Sequence, residues 1–201
     1  KMNKLIITYG VAAALEHLHD KNHVHRDIKP DNILLDKRLY PFLADFGPSK
    51  DLSPLSSPDL SMAVNMSYTM APEYLGLENL AQARKDPKAD VYSFGISLYY
   101  LWGGLHPEKA FFSSLYYIKA IQKGERPSFE KCPQSVPNPI KRLIEQCWVH
   151  DPQGRLTFTE IVNKLESPEF QLSSQNFDGN LFNEYVNRLK PHRPAVDMMN
   201  D

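Results

Sequence analysis

Disulfide bonds are the first feature that this sequence cannot build in any number. Only two cysteines, Cys132 and Cys147, occur among its 201 residues, whereas small secreted domains that depend on disulfides are rich in cysteine. We expect two ordinary thiols, the second of them buried in a helix. Such a chain suits a reducing compartment, so the expected location is the cytoplasm, with the nucleus as the alternative.

The sequence also lacks a surplus of charge of either sign. It has 23 lysines and arginines against 24 aspartates and glutamates, a formal net charge of −1. A protein that binds nucleic acid or an anionic membrane through charge needs a basic surplus on one face. Neither nucleic acid nor a membrane surface is therefore expected among the partners.

No long hydrophobic run is present. The most apolar stretch, residues 96–102, is far shorter than the roughly 20 residues that span a bilayer, so no membrane span is expected. The apolar N-terminal segment, residues 5–18, lacks a cleavage site and continues at helical spacing through Glu16 and His19. We interpret it as a core helix and not a signal peptide. Because it starts within a periodic pattern, we expect the chain to begin inside a larger domain.

The composition that remains is that of an ordinary globular protein, with 42% hydrophobic and 23% charged residues. Two short apolar runs, 33–35 and 42–44, flank the polar turn 36–38 and predict a small β-hairpin. Apolar positions elsewhere repeat with a helical period. They predict helices over 3–20, 87–103, 111–123, 138–150, 157–165 and 181–189. The expected fold class is therefore mainly α, a helical platform with a small hairpin.

One signal for a helix start and one irregular segment complete the outline. Thr157 with Glu160 three residues later has the pattern of a capping box, in which two orphan backbone donors are satisfied reciprocally. Residues 48–70 show no periodicity. A long irregular segment inside a compact domain is usually functional.

Polar residues suited to phosphoryl transfer flank the predicted hairpin. Residues 25–32 read His-Arg-Asp-Ile-Lys-Pro-Asp-Asn, and residues 45–47 read Asp-Phe-Gly. Phosphoryl transfer from ATP needs a carboxylate for the attacking hydroxyl, a positive group for developing charge, and oxygen ligands for a divalent ion. Asp27 can be the carboxylate and Lys29 the positive group.

The metal ligands of this scheme come from both ends of the hairpin. Asn32 offers an amide oxygen and Asp45 a carboxylate, which are ligand types that Mg²⁺ prefers. Gly47 supplies the backbone freedom that the second turn needs. The hairpin between Asn32 and Asp45 explains how residues apart in sequence could share one site.

In these motifs the chain resembles the large, C-terminal lobe of a eukaryotic protein kinase, over about residues 3 to 166. Further matches are Ala-Pro-Glu at 71–73, the run Asp-Val-Tyr-Ser-Phe-Gly at 90–95, and the arginine within 151–155. Motifs in this order and spacing are specific to the family. The resemblance implies a helical large lobe, within an α+β family, that phosphorylates protein hydroxyls with ATP and Mg²⁺ or Mn²⁺.

The resemblance also implies roles for single residues. Asp90 would brace the backbone of the catalytic loop, which is the run 25–32. Arg155 would pair with Glu73 of the run 71–73, which ends the activation segment in the family. Leu34 would lie under the adenine ring, and Arg26 would read phosphorylation of the activation segment. The remaining structural residues of the two loops would be His25, Phe46 and Gly47.

Domain boundaries and substrate class follow from the same likeness. Residues 1–168 would form the large lobe, and 169–201 a C-terminal tail with one short helix. The small lobe, with its glycine-rich loop and strand lysine, is expected to be absent and so to be a partner, beside ATP and a protein substrate. Lys29 resembles serine/threonine kinases, whereas residues 124–127 and 147–152 look like the tyrosine-kinase-like group.

Two alternatives stay open. The family usually has Gly-Thr where this chain has Asn65 and Met66, an aromatic residue at Thr69, and often leucine at Pro48. These differences favour a non-catalytic, kinase-like scaffold that acts by binding partners. A small-molecule kinase ranks last, because such proteins generally lack the Lys29-Pro30 pair.

Overall fold

The computed structural model describes residues 4–45, 67–75, 86–171 and 179–192. Within them, none of the helices combines the length and the apolar character needed to cross a membrane. Helices predominate, which confirms the predicted fold class. The helices are α1 (Lys4–Asp20), α2 (Lys88–Gly103), α3 (Ser114–Gln122), α4 (Asn138–Cys147), α5 (Phe158–Leu165), α6 (Pro168–Gln171) and α7 (Gly179–Leu189). The strands are β1 (Ile33–Leu35) and β2 (Pro41–Leu43).

Helix α2 forms the centre of the domain. Nearly every one of its residues is buried, as expected for a helix that is apolar nearly all round. Gly95 allows close packing, since a Cβ there would lie 2.8 Å from the Cβ of Cys147 in α4. The helix ends at Gly104, whose φ of 71° is left-handed and whose N–H donates to the carbonyl of Tyr100.

Helix α1 connects the hairpin to the helical platform. One side packs against α5, and the rest contacts β2, α2 and α7. The chain leaves the helix at Asp20 and turns through Asn22, which has a left-handed φ of 57°. This turn directs the next residues into the catalytic-loop motif.

Local capping explains one of the differences between the observed and the predicted helices. Helix α3 begins at Ser114 and not at 111, because Ser113 has extended backbone and its side chain accepts the N–H of Tyr116. Helix α4 ends at Cys147 and not at 150. The capping box of Thr157 and Glu160 is present at the start of α5, as predicted.

The C-terminal segment adds two helices to the platform. The short helix α6 was not predicted, and α7 begins two residues before the predicted start at Leu181. Phe182 of α7 is fully buried with its ring edge-on to Tyr9 of α1, the ring centroids being 5.5 Å apart. The division of the chain at residue 168 stays a prediction.

Both cysteines are free thiols. Cys147 is completely buried in α4, as predicted, and burial raises the pKa of its thiol well above the ordinary value. A buried thiol of raised pKa is chemically inert, so this residue has a packing role.

Candidate active site

A short hairpin organises the candidate site. Strands β1 and β2 pair antiparallel, with Ile33 opposite Leu43 and Leu34 opposite Phe42. Asp36 shapes the turn, because its carboxylate accepts the N–H groups of Arg38 and Tyr40, each at 2.8 Å. The predicted hairpin is therefore confirmed.

The open end of the hairpin brings together the two predicted metal ligands. Asn32 directly precedes β1, and its carbonyl accepts the N–H of Ala44 at 2.9 Å. Asp45 follows Ala44 and has a left-handed φ of 61°. Asn32 and Asp45 thus leave the hairpin at the same end, whereas Phe46 and Gly47 lie outside the described residues.

Asp27, Lys29 and Asn32 form one contact cluster in the structure. The Lys29 ammonium donates to Oδ2 of Asp27 at 2.8 Å, and the Asn32 amide nitrogen donates to the same oxygen at 2.9 Å. The side chains of Asp27 and Lys29 are 29% and 24% exposed. Oδ1 of Asp27 accepts no hydrogen bond from the described residues, so the carboxylate keeps one oxygen for an incoming group.

The donor set fits a hard divalent ion. The Asn32 amide nitrogen also donates to the Asp27 carbonyl at 2.8 Å, and these two bonds fix the plane of the amide. Its oxygen accepts no hydrogen bond from the described part of the chain. With the exposed carboxylate of Asp45, this oxygen gives the all-oxygen ligand set that Mg²⁺ and Mn²⁺ favour.

A buried carboxylate holds the backbone of the catalytic loop. Asp90 of α2 is 1% exposed and accepts the N–H groups of His25 at 2.7 Å and Arg26 at 2.8 Å. Arg26 itself has a left-handed φ of 69°, a conformation that is uncommon for a residue with a side chain. Asp90 therefore stabilises a strained turn just before Asp27.

His19 completes this brace, and the sequence did not indicate it. Its Nε2 lies 2.9 Å from Oδ2 of Asp90, and its ring packs edge-on against Phe158. No local pattern signals a partner 71 residues away.

A second buried pair fixes the Ala-Pro-Glu turn. Arg155 donates through Nη1 and Nη2 to the two carboxylate oxygens of Glu73, at 2.7 and 2.8 Å. Its other N–H groups donate to the carbonyls of Val149, Lys88 and His150. Every donor of the guanidinium is therefore used, which is the condition for burying such a charge.

The aromatic ring of Tyr92 packs against the guanidinium group of this pair. The guanidinium carbons of Arg155 and Arg126 lie 5.0 and 5.1 Å from the ring centre of Tyr92, within the range of a cation–π contact. Burial raises the pKa of Tyr92 to about 12. Tyr92 thus stays neutral and acts as packing for two cations.

Apolar surface lies beside the cluster. Leu34, predicted to lie under adenine, is 44% exposed, and its cross-strand neighbour Phe42 is also exposed. Exposed apolar side chains next to a cluster of polar side chains are typical of a ligand-binding surface. Of the other predicted residues, His25 is buried and Arg26 is exposed.

The end of the activation segment is well anchored despite its unusual sequence. Thr69, where the family usually has an aromatic residue, is 1% exposed, and its carbonyl accepts the hydroxyl of Ser93 at 2.8 Å. The carbonyl of Tyr68 accepts the hydroxyl of Tyr117 at 2.6 Å. Pro48, Asn65 and Met66, the other unusual positions, lie outside the described residues.

Comparison with known proteins adds the family. The family model for the protein kinase domain matches residues 3–165. A protein kinase and PP2C-like domain-containing protein of Arabidopsis thaliana is 32% identical over 196 residues, 81% of this chain and 28% of that protein. Human receptor-interacting serine/threonine-protein kinase 3 is 33% identical over 177 residues, 84% of this chain and 33% of the relative.

A third relative, named as a probable serine/threonine-protein kinase of Dictyostelium discoideum, is 35% identical over 161 residues. These cover 80% of this chain and 11% of that protein. The chain therefore spans a third or less of the length of these relatives.

Proposed function

The chain belongs to the protein kinase domain family, and from that premise we propose that it carries the catalytic loop of a protein serine/threonine kinase. The reaction would transfer the γ-phosphoryl group of ATP to a protein hydroxyl. The observation that carries this proposal is the contact cluster of Asp27, Lys29 and Asn32 at the hairpin end from which Asp45 leaves.

Asp27 would act on the attacking hydroxyl. As the hydroxyl oxygen bonds to the γ-phosphorus, the bond to the ADP oxygen breaks, and the hydroxyl proton passes to the free Oδ1 of Asp27. Lys29 is already 2.8 Å from the carboxylate, so a small rotation would bring its ammonium to the transferring phosphoryl group. There it would offset the developing negative charge.

Asn32 and Asp45 would hold Mg²⁺ or Mn²⁺ through their side-chain oxygens. The ion supplies charge neutralisation at the phosphate oxygens when it is bound. Leu34 would provide apolar contact for the adenine, since its side chain is partly exposed next to Asn32. The fixed amide plane of Asn32 favours this role, because its oxygen needs no rearrangement before binding.

Other properties of the proposed kinase rest on sequence likeness. Lys29 favours serine/threonine specificity, and residues 124–127 and 147–152 favour the tyrosine-kinase-like group. We further propose a location in the cytoplasm or the nucleus, a protein substrate, and a small lobe as the partner that covers the nucleotide.

The decisive experiment compares two aspartate substitutions in the same loop. Asp27→Asn should lower phosphate transfer to a generic protein substrate by about 10²-fold or more, because the proton acceptor is lost. Asp31→Asn makes the same chemical change at an exposed position and should change the rate by less than about twofold. The assay measures labelled phosphate from ATP in a polypeptide that includes the small lobe. An unchanged rate in Asp27→Asn would refute the assignment.

A non-catalytic scaffold is the second candidate, favoured by Asn65 and Met66 at positions where the family has Gly-Thr. The two functions differ in their response to nucleotide. Mg²⁺ with ATP should raise the Tm of the kinase, and Asp45→Asn should abolish the rise. Absence of both the shift and the transfer would support the scaffold.

A further inference from the structure

The hairpin that carries the proposed metal ligands is too small to be rigid by itself. It has only the register Ile33–Leu35 against Pro41–Leu43, and an isolated two-stranded hairpin is marginally stable at best in water. Its orientation must therefore depend on what packs against it. Helix α1 supports β2, where Leu43 is buried. The turn has a different support.

That second support is α7, the helix nearest the C-terminus of the described chain. The ring of Tyr185 lies 4.6 Å, centroid to centroid, from the ring of Tyr40, and the Arg188 guanidinium is 6.0 Å from the same ring. Tyr40 directly precedes β2, and both its N–H and its carbonyl bond to Asp36. A force on the Tyr40 ring is thus transmitted directly to the turn.

A glycine allows three elements to meet at this point. A Cβ on Gly10 of α1 would lie 2.3 Å from the Tyr185 hydroxyl oxygen and 2.5 Å from Cγ of Pro41, the first residue of β2. Real Cβ atoms do not approach other atoms so closely, so only glycine fits without a shift. Helix α7 and the hairpin therefore pack against the same spot on α1.

Helix α7 is itself firmly docked. Phe182, Tyr185 and Val186 are buried, and the Tyr9 hydroxyl, which lies beneath them, donates to Glu166 at 2.8 Å. Phe182 and Tyr185 both pack edge-on against the Tyr9 ring. This helix lies beyond the matched family region, residues 3–165, so membership of the family does not account for it.

We propose that α7 is a positioning element for the metal-ligand hairpin, with Tyr185 holding the Tyr40 turn so that Asn32 and Asp45 keep their places at the opposite end. The hairpin acts as a short lever, because the turn and the ligand end are joined by strands of three residues. A displacement of about 1 Å at a reacting group can cost up to about 10²-fold in rate. The catalytic consequence rests on the proposed function, whereas the mechanical coupling does not.

Amide hydrogen exchange tests the coupling between Tyr185 and the ligand end of the hairpin, and it requires no enzymatic activity. The reporter is the N–H of Ala44, which bonds to Asn32 at the ligand end. Tyr185→Ala and Tyr40→Leu should each speed its exchange about tenfold beyond the change in global stability, since the hairpin would open locally. The effects of Tyr185→Ala and Tyr40→Leu on Ala44 exchange should not add in the double variant, because each substitution removes the same ring contact.

Two controls separate positioning from general destabilisation. Ile140→Ala removes a fully buried side chain of α4, away from the hairpin, and should speed exchange only through global unfolding. Glu184→Ala on the exposed side of α7 should change nothing. Should Tyr185→Ala fail to fold, Tyr185→Leu keeps the apolar bulk and takes its place. Ala44 exchange that follows global stability alone in every variant would overturn the proposal.

Nucleotide binding provides the second readout. Tyr185→Ala should weaken the binding of Mg²⁺ with ATP by about three- to tenfold, whereas Ile140→Ala should leave the affinity of the folded protein unchanged. Binding is measured in the polypeptide that includes the small lobe. If that polypeptide binds no nucleotide before any substitution, the proposed function fails and the exchange experiment alone decides the positioning role. Normal binding in Tyr185→Ala, together with slow Ala44 exchange, would contradict it.

Discussion

Two carboxylate–cation pairs of nearly equal length occur in this molecule, and their surroundings differ. Asp27 and Lys29 are 2.8 Å apart and 29% and 24% exposed, whereas Glu73 and Arg155 are 2.7 Å apart and 17% and 0% exposed. Lys29 makes one hydrogen bond to Asp27, but the Arg155 guanidinium uses all its donors. Distance alone therefore does not tell whether a pair stabilises the fold or is available to a ligand.

Exposure and the number of fixed partners separate the two roles. The buried pair would leave an uncompensated charge if one member were removed, which is costly. The partly exposed pair can exchange its partner for water or phosphate at little cost. Asp90 belongs with the buried group, although the backbone it holds is part of the exposed loop.

The largest effect on stability should come from Arg155→Ala. It leaves the Glu73 carboxylate without its partner and removes the hydrogen bonds to three backbone carbonyls, so the free energy of unfolding should fall by about 3–5 kcal/mol. Urea denaturation measures the change. Arg142→Ala, which removes an exposed arginine paired with Glu169, should cost less than about 1 kcal/mol. Equal losses of unfolding free energy in the two variants would show that burial does not distinguish the two ion pairs.

Asp90→Asn should have the next largest effect. The amide keeps one acceptor oxygen in place of two, so one of the loop N–H groups loses its bond, at a cost of about 2–3 kcal/mol. Urea denaturation gives the total, and faster amide exchange at His25 and Arg26 should locate the loss. Asp151→Asn, at an exposed cap where the side chain accepts only the N–H of Gln153, is the matched control and should cost about 1 kcal/mol or less.

The capping box tests whether an exposed group can still be structural. Thr157→Ala should lower the free energy of unfolding by about 1 kcal/mol. Hydrogen bonds from Thr157 lower the pKa of Glu160 below 4.5. The contribution of its carboxylate is therefore complete above pH 4.5 and is lost as the pH falls through the lowered folded-state pKa. Urea curves of Glu160→Gln and the unsubstituted protein should converge in acid; a constant difference would argue against the ionised cap.

The smallest effect on stability should come from the residue most important for the proposed reaction. Asp27→Asn keeps an oxygen that can accept from Lys29 and Asn32, and the side chains of Asp27 and Lys29 are partly exposed. The free energy of unfolding should therefore change by no more than about 1 kcal/mol in the same urea experiment. A loss as large as that of Asp90→Asn would show that the exposed cluster is a structural element after all.

Much of the fold was predictable because its signals are local. The apolar positions of residues 87–103 predicted the helix observed as α2, and two apolar runs around Asp36 predicted the hairpin. Likeness to the kinase family suggested the partners of Asp90 and Arg155, which the structure places within hydrogen-bond distance of the expected groups. The start of α3 was predicted wrongly, because the cap at Ser113 fixes it at Ser114 and hydrophobic periodicity does not indicate caps.

The missed contacts depend on how helices cross. His19 meets Asp90 only because α1 and α2 bring residues 71 positions apart together. Phe182, Tyr185, Val186 and Leu189 repeat at helical spacing, so the sequence predicted a helix there. That spacing does not say which surface the helix covers, and so the contact of Tyr185 with the hairpin could not be foreseen.

Arg26 and Asp45 flank the cluster with left-handed backbone, a conformation that costs residues with a side chain roughly 1–3 kcal/mol each. Glycine would relieve that cost at either position. A search for heat-resistant variants would therefore favour glycine at these two sites. Stability would be gained there by removing a proposed metal ligand, Asp45, or a side chain to which the family resemblance assigns phosphate recognition, Arg26. At these two positions, selection for thermal stability should favour glycine, whereas selection for the proposed function should favour the residues that are present.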